Sequence, residues 1–206
     1  MSIYADTRNS GIQFLATMAA CSLITAALGQ AAPAIKAERE TPEVRASTYY
    51  ISPSGDDEYP GTTPDTSWKT INKVNSISFK PGAKILFKVG CNFPGNLSFN
   101  SNDGNRADQP LTISSYGAGR AIIEAGKGFG ISIENTQGFI LSNLEIVGVG
   151  VSNGNTKVGL DIHTSLPGRM SSFSITGVEV HGFKNGIALQ QIGTNGGGFE
   201  KVLLSN

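Results

Sequence analysis

Asp161, His163, Glu179 and His181 are the side chains of this chain best suited to handling a proton or holding a polar substrate. A carboxylate or imidazole can remove the proton α to a substrate carboxylate, provided that a cation or an arginine neutralises that carboxylate. Glu145 and Glu179 suit a second task. Carboxylates held close together repel unless a proton or cation lies between them, and Ca²⁺ accepts carboxylate oxygens at little geometric cost. Ca²⁺ is therefore the cofactor to expect if the two glutamates meet. No residue is marked out as a catalytic base. Lys157, Arg169 and Lys184 read as loop residues, so positive charge is short beside these acids, which counts against a complete site for an acidic polymer. The competing reading is a solvated strand face, where Glu and His are ordinary.

The elements that must position these residues follow from an internal repeat. One unit runs Gly130-Ile-Ser-Ile-Glu and then Phe139-Ile-Leu-Ser-Asn-Leu-Glu-Ile-Val-Gly148. The next runs Gly159-Leu-Asp-Ile-His and then Phe173-Ser-Ile-Thr-Gly-Val-Glu-Val-His-Gly182. A third starts at Gly186-Ile-Ala-Leu-Gln and reaches Val202-Leu-Leu-Ser-Asn206. The leading glycines are 29 residues apart (130 to 159) and then 27 (159 to 186). Length varies only in 150–157, 164–172 and 192–199, while the strand cores keep their pattern. Apolar residues recur every second position, which is strand periodicity rather than helical. Each repeat thus holds three short strands and forms one coil, with coils stacked about 4.8 Å apart.

Aligning the repeats sets outward rows. Ser132, Asp161 and Ala188 form one, and Glu134, His163 and Gln190 a second. Glu145 and Glu179 form a third, followed by Val147 and His181. The expected fold is all-β: a right-handed parallel β-helix, a single-chain solenoid, with one N-terminal capping helix.

Upstream, 48–52 reads as a first strand and 53–66 as a loop. Asp56-Asp57-Glu58 in that loop reads as a solvated turn, since it lacks the regular ligand alternation of a calcium loop. Residues 67–79 predict the helix, with Trp68, Ile71, Val74 and Ile77 or Phe79 on one stripe and Pro81-Gly82 as its stop. Strands follow at 83–89, 96–100, 111–116 and 121–125.

Several of these segments resemble the pectate-lyase-like β-helix superfamily. They are Tyr49-Tyr50-Ile51-Ser52-Pro53 with the loop after it, Ser67-Trp68-Lys69-Thr70-Ile71, Lys80-Pro81-Gly82-Ala83-Lys84-Ile85, and Gln109-Pro110-Leu111-Thr112-Ile113. The resemblance covers about 49–206. It implies an exported carbohydrate-active protein that acts on or binds an extracellular, including acidic, polysaccharide, as a polysaccharide lyase or a glycoside hydrolase. The alternative from a different class is a non-catalytic surface or adhesion module on the same scaffold, because fold alone does not fix activity.

Composition bounds the rest. The 206 residues carry 16 Lys+Arg against 16 Asp+Glu, with no basic patch, so nucleic acid is not an expected partner. Glycine is abundant (26 residues) and charged residues reach only 16%, against about a quarter in ordinary domains. Residues 1–34 read as a signal peptide: Arg8, an uncharged apolar stretch over 12–28, then small residues in which Ala32-Pro33-Ala34 or Ala27-Leu28-Gly29 supplies the cleavage pattern. Residues 35–47 read as a linker and 48–206 as the β-helix domain. The expected location is therefore secreted or at the cell surface or periplasm, with a membrane partner only if 1–34 stays attached, and the expected state is a monomer. Cleavage leaves Cys91 alone, which excludes an intrachain disulfide. Asn206 aligns with Asn143 and Gly177, each followed by a further strand, so the last coil is expected to be truncated.

Overall fold

The computed structural model describes residues 47–194 and 196–205, all within the compact unit Glu43–Asn206. The expected signal peptide, and the linker up to residue 46, lie outside the described residues. Among the described residues fourteen strands form three sheets. Sheet A holds β1 (Thr48–Ile51), β2 (Lys84–Lys88), β5 (Leu111–Tyr116), β8 (Phe139–Ser142), β11 (Arg169–Thr176) and β14 (Gly198–Ser205). Sheet B holds β3 (Asn92–Pro94), β6 (Ala121–Gly126), β9 (Leu144–Gly148) and β12 (Glu179–His181). Sheet C holds β4 (Leu97–Phe99), β7 (Ile131–Glu134), β10 (Val158–Thr164) and β13 (Asn185–Gln191). Every strand pairing is parallel. Four successive coils each give one strand to each sheet, and β1 and β14 add to sheet A alone, so the described residues form a solenoid of stacked coils, as the repeat requires.

Alternation decides what fills the bore. Leu97, Ile131 and Leu160 share one register column, and Phe99, Ile133 and Ile162 another; all are buried. Phe79, Phe99, Phe139, Phe173 and Phe199 form an aromatic ladder along the stack, with centroid separations of 6.3, 5.6, 6.4 and 5.7 Å. Burying each of the rings of Phe79, Phe99, Phe139 and Phe173 contributes about 1.5–3 kcal/mol, while Phe199 is only partly buried. A slip of one residue would turn a whole column outward, so these columns lock the register.

Two of the three glycines that open a repeat, Gly130 and Gly159, have a steric reason, whereas a Cβ on Gly186 would meet nothing within 4 Å. A Cβ on Gly130 would lie 2.2 Å from Ile146 Cγ2, and one on Gly159 would lie 2.2 Å from Val180 Cγ1. At these two levels sheets B and C meet at a seam too narrow for a side chain. At the corner between sheets A and B, one left-handed residue turns each of two successive coils, Asn143 (φ 53°) and Gly177 (φ 61°). Asn and Gly are the residues that enter this region at least cost.

The helix expected over 67–79 is corrected: α1 spans only Ile71–Asn75. Trp68 is drawn into a parallel bridge with Ile51, and Asp57 accepts from the N–H groups of Lys69 and Thr70 at 2.8 and 2.9 Å. These contacts hold 67–70 extended. Thr70 then caps the helix by accepting from Lys73 N at 3.1 Å. The capping role survives. Ile71 and Val74 are buried, and Asn75 bonds Asn96 O and Ser98 N along the free edge of β4. That contact blocks edge-to-edge pairing there. Two smaller differences stand beside this. Arg169 opens strand β11 rather than lying in a loop, and β3 was not expected because it is three residues long and ends in Pro94. Cys91 is half-buried and packs against the core.

Candidate functional site

The outward rows fall where the repeat alignment puts them. Asp161 is in register with Ser132 and Ala188, His163 with Glu134 and Gln190, Glu179 with Glu145, and His181 with Val147. They belong to two faces rather than one. Asp161 and His163 lie on sheet C, whereas Glu145, Glu179 and His181 lie on sheet B.

On sheet C the polar groups close on one another. His163 Nδ1 sits 3.4 Å from Asp161 Oδ2, and His163 Nε2 sits 3.8 Å from Glu134 Oε2. Gln190 Nε2 donates to Asp161 Oδ1 at 2.9 Å from the next coil. Side-chain exposure is 16% at His163 and 21% at Asp161. His163 Nδ1 is buried and makes no hydrogen bond among the described residues, so its contact with Asp161 is one of proximity.

On sheet B two of the polar groups, Arg120 and Glu145, line open space. Glu145 Oε1 lies 2.9 Å from His181 Nε2. Glu179 Oε2 accepts from Arg120 Nη1 at 3.1 Å, and Arg120 Nε donates to the carbonyl of Gly177 at 3.0 Å. Arg120 immediately precedes β6, and the sheet runs β6, β9, β12, so its side chain crosses the coil that carries Glu145. A cleft of ≈ 690 Å³ opens there, lined by Gly117, Ala118, Gly119, Arg120, Asn143 and Glu145. Next to it on the same sheet, Asn92 Nδ2 donates to Glu124 Oε1 at 2.5 Å.

Glu145 and Glu179 are neighbours in register, yet each is engaged by a different side chain of the protein. Among the described residues no group of three or more His, Cys, Asp or Glu side chains is arranged to hold a metal ion. The charge that offsets Glu179 is that of Arg120.

Asp57 is a structural acid. Burial pushes its carboxyl up, but the Thr70 hydroxyl, the N–H groups of Lys69 and Thr70, and the Lys73 charge outweigh this and hold it below the usual carboxylate value. A more apolar cleft of ≈ 270 Å³ lies between this cap and β3, with Lys69 as its one charged lining residue.

Arg120 and Asn143 are the site residues that sequence reasoning missed. A signal for Asn143 was present, since it aligns with Gly177 at the corner of the next coil. Arg120 carried none, because its partners lie 57 and 59 residues away.

No family model matches the chain. Over 120 residues it is 36% identical to a lacto-N-biosidase of Bifidobacterium longum subsp. longum, covering 54% of this chain and 7% of that protein. The chain is similar to part of a lacto-N-biosidase. Two solved structures of the GH136 lacto-N-biosidase from Eubacterium ramulus, native and selenomethionine, share its fold. They align with TM-scores of 0.57 and 0.56 at 18% identity, over 77% of this chain and 30% of theirs. The chain thus spans under a third of the solved lacto-N-biosidases and a smaller share of the curated one. Among the described residues no helix is long and apolar enough to cross a membrane.

Proposed function

We propose that this chain is part of an exported glycoside hydrolase that acts on oligosaccharides, with the outer face of sheet B as the surface on which the glycan lies. The observation that carries this reading is the 36% identity over 120 residues to a lacto-N-biosidase, on a coil stack of the same kind. Geometry supports hydrolysis over elimination. A lyase acting on uronates needs uncommitted positive charge to neutralise the substrate carboxylate. On sheet B the guanidinium of Arg120 already faces Glu179, while Glu124 and Glu145 add negative charge. A glycosidase instead works with carboxyl groups, one donating a proton and one acting as base or nucleophile. Glu145, Glu179 and His181 are then substrate-binding groups on that face, and Asp161 and His163 brace sheet C.

The proposal includes a right-handed coil within the pectate-lyase-like group, since parallel crossovers take that hand in about 98% of cases. Export rests on the apolar stretch over 12–28 and the small residues after it. The test is incubation of the full chain with neutral oligosaccharides and with pectin or alginate. Release of smaller sugars with new reducing ends is the expected result. A rise in ultraviolet absorbance from unsaturated uronates would overturn the hydrolase reading in favour of a lyase. Tight binding without turnover would favour the adhesion module.

A further inference from the structure

We infer that the cleft between the Gly117–Gly119 turn and the Asn143 corner is a binding subsite for one uncharged sugar residue, with Arg120 as its fixed hydroxyl donor. This inference rests on the reading of the chain as glycan-acting and adds the place, the residues and the selectivity.

The argument starts with Arg120. Its Nε and Nη1 are held by Gly177 O and Glu179 Oε2, two coils below the residue itself. Its Nη2 makes no hydrogen bond among the described residues. The side chain is therefore set in place before any ligand arrives, so little ordering cost remains to be met on binding. Asn143 lies on the coil between. Its left-handed backbone puts an exposed amide at the corner, and that amide makes no side-chain hydrogen bond among the described residues. Glu145 completes the set. Its Oε1 faces His181, which leaves Oε2 as an acceptor.

The cleft thus offers donors from a guanidinium, a donor and an acceptor from an amide, and an acceptor from a carboxylate. Neighbouring hydroxyls on a sugar ring each donate one hydrogen bond and accept others, so this set matches them. Room comes from the turn, where Gly117 (φ 98°) and Gly119 (φ 127°) adopt backbone that side chains disfavour. Charge sets the selectivity. Glu145 and Glu179 oppose a single Arg120, so an added carboxylate would enter an acidic surround and be repelled. Uronates and other anionic sugars are excluded.

The experiment is a titration of the full chain with neutral oligosaccharides (lactose, N-acetyllactosamine, cellotetraose) and with oligogalacturonate, read by NMR shifts and calorimetry. Wild type should bind at least one neutral sugar and not the uronate. Arg120→Lys, which keeps the charge but loses the fork, should weaken binding about tenfold. Asn143→Gly should weaken it too without harming the fold, because glycine occupies the equivalent corner at Gly177. Ala118→Trp should fill the cleft and abolish binding while leaving all three polar groups in place. Unchanged affinity in Arg120→Lys, Asn143→Gly and Ala118→Trp would overturn the subsite and leave the glycan reading standing. Equal affinity for the uronate would overturn the selectivity. Absence of binding to every sugar would overturn both.

Discussion

Sheets B and C are built by the same coils and carry similar outward residues, yet those residues are arranged differently. On sheet C, Glu134, His163, Asp161 and Gln190 close into a ladder across three coils, and the histidine is mostly buried. On sheet B, Arg120 pairs with Glu179 and His181 with Glu145, and Arg120 and Glu145 line a cleft. The difference lies in what stands beside each face. Sheet B borders the tight corner at Asn143 and Gly177 and the small-residue turn at Gly117–Gly119, which leave space. Sheet C borders the loops after β7 and β10, where Asn135 Oδ1 accepts from Ser165 N at 2.8 Å. Polar rows alone do not make a site; the space next to them does.

The comparison can be broken most severely through what the two faces share. Phe139→Ala removes the middle of the aromatic ladder and should cost about 3–5 kcal/mol. Urea unfolding should show it, and both faces should be lost together. Gly159→Ala acts at the seam, where its Cβ would lie 2.2 Å from Val180 Cγ1. It should cost about 1–3 kcal/mol by overpacking, and amide shifts should move in both β10 and β12. A change confined to one sheet would show that the seam does not couple them.

Smaller substitutions separate the faces. Asp161→Ala removes the acceptor for the exposed Gln190 amide and the acid beside the mostly buried His163, and should cost about 0.5–1.5 kcal/mol. Glu145→Ala and His181→Ala break an exposed pair and should each cost about 0–1 kcal/mol, while weakening sugar binding. If the sheet B variants proved the more destabilising, the division into brace and binding face would fail. The smallest effect lies off both faces. The native carboxyl of Asp57 is held below its ordinary value of 3.8, so its stabilising contribution is present above that pH and disappears as pH falls through the lower native value. Asp57→Asn should therefore be less stable than wild type near neutrality, and their melting temperatures should converge in acid. A constant gap across that range would refute this role.

Much of the coil stack was legible from residues alone. The Gly-Ile-x-Ile and Phe-x-Ile motifs fixed which side chains enter the bore, and the rows through Asp161, His163, Glu179 and His181 fell in the expected register. This works because strand side chains alternate and a buried face tolerates no slip. The helix was over-read because Trp68 fits a helical stripe equally well, and only its bridge to Ile51 and the contacts of Asp57 hold that segment extended. Arg120 was invisible because its role depends on a side chain reaching past one coil to the next.

By itself the sequence determined the coils, their register and which side of each strand meets water, since these follow from a period of two and a repeat. The tertiary structure alone decided which outward charges meet. Rows along one sheet are set by register, but contacts across a corner depend on how tightly each coil turns. In this protein that turning separates Asp161 and His163 from Glu179 and His181, and brings Arg120 to Glu179 across 59 residues.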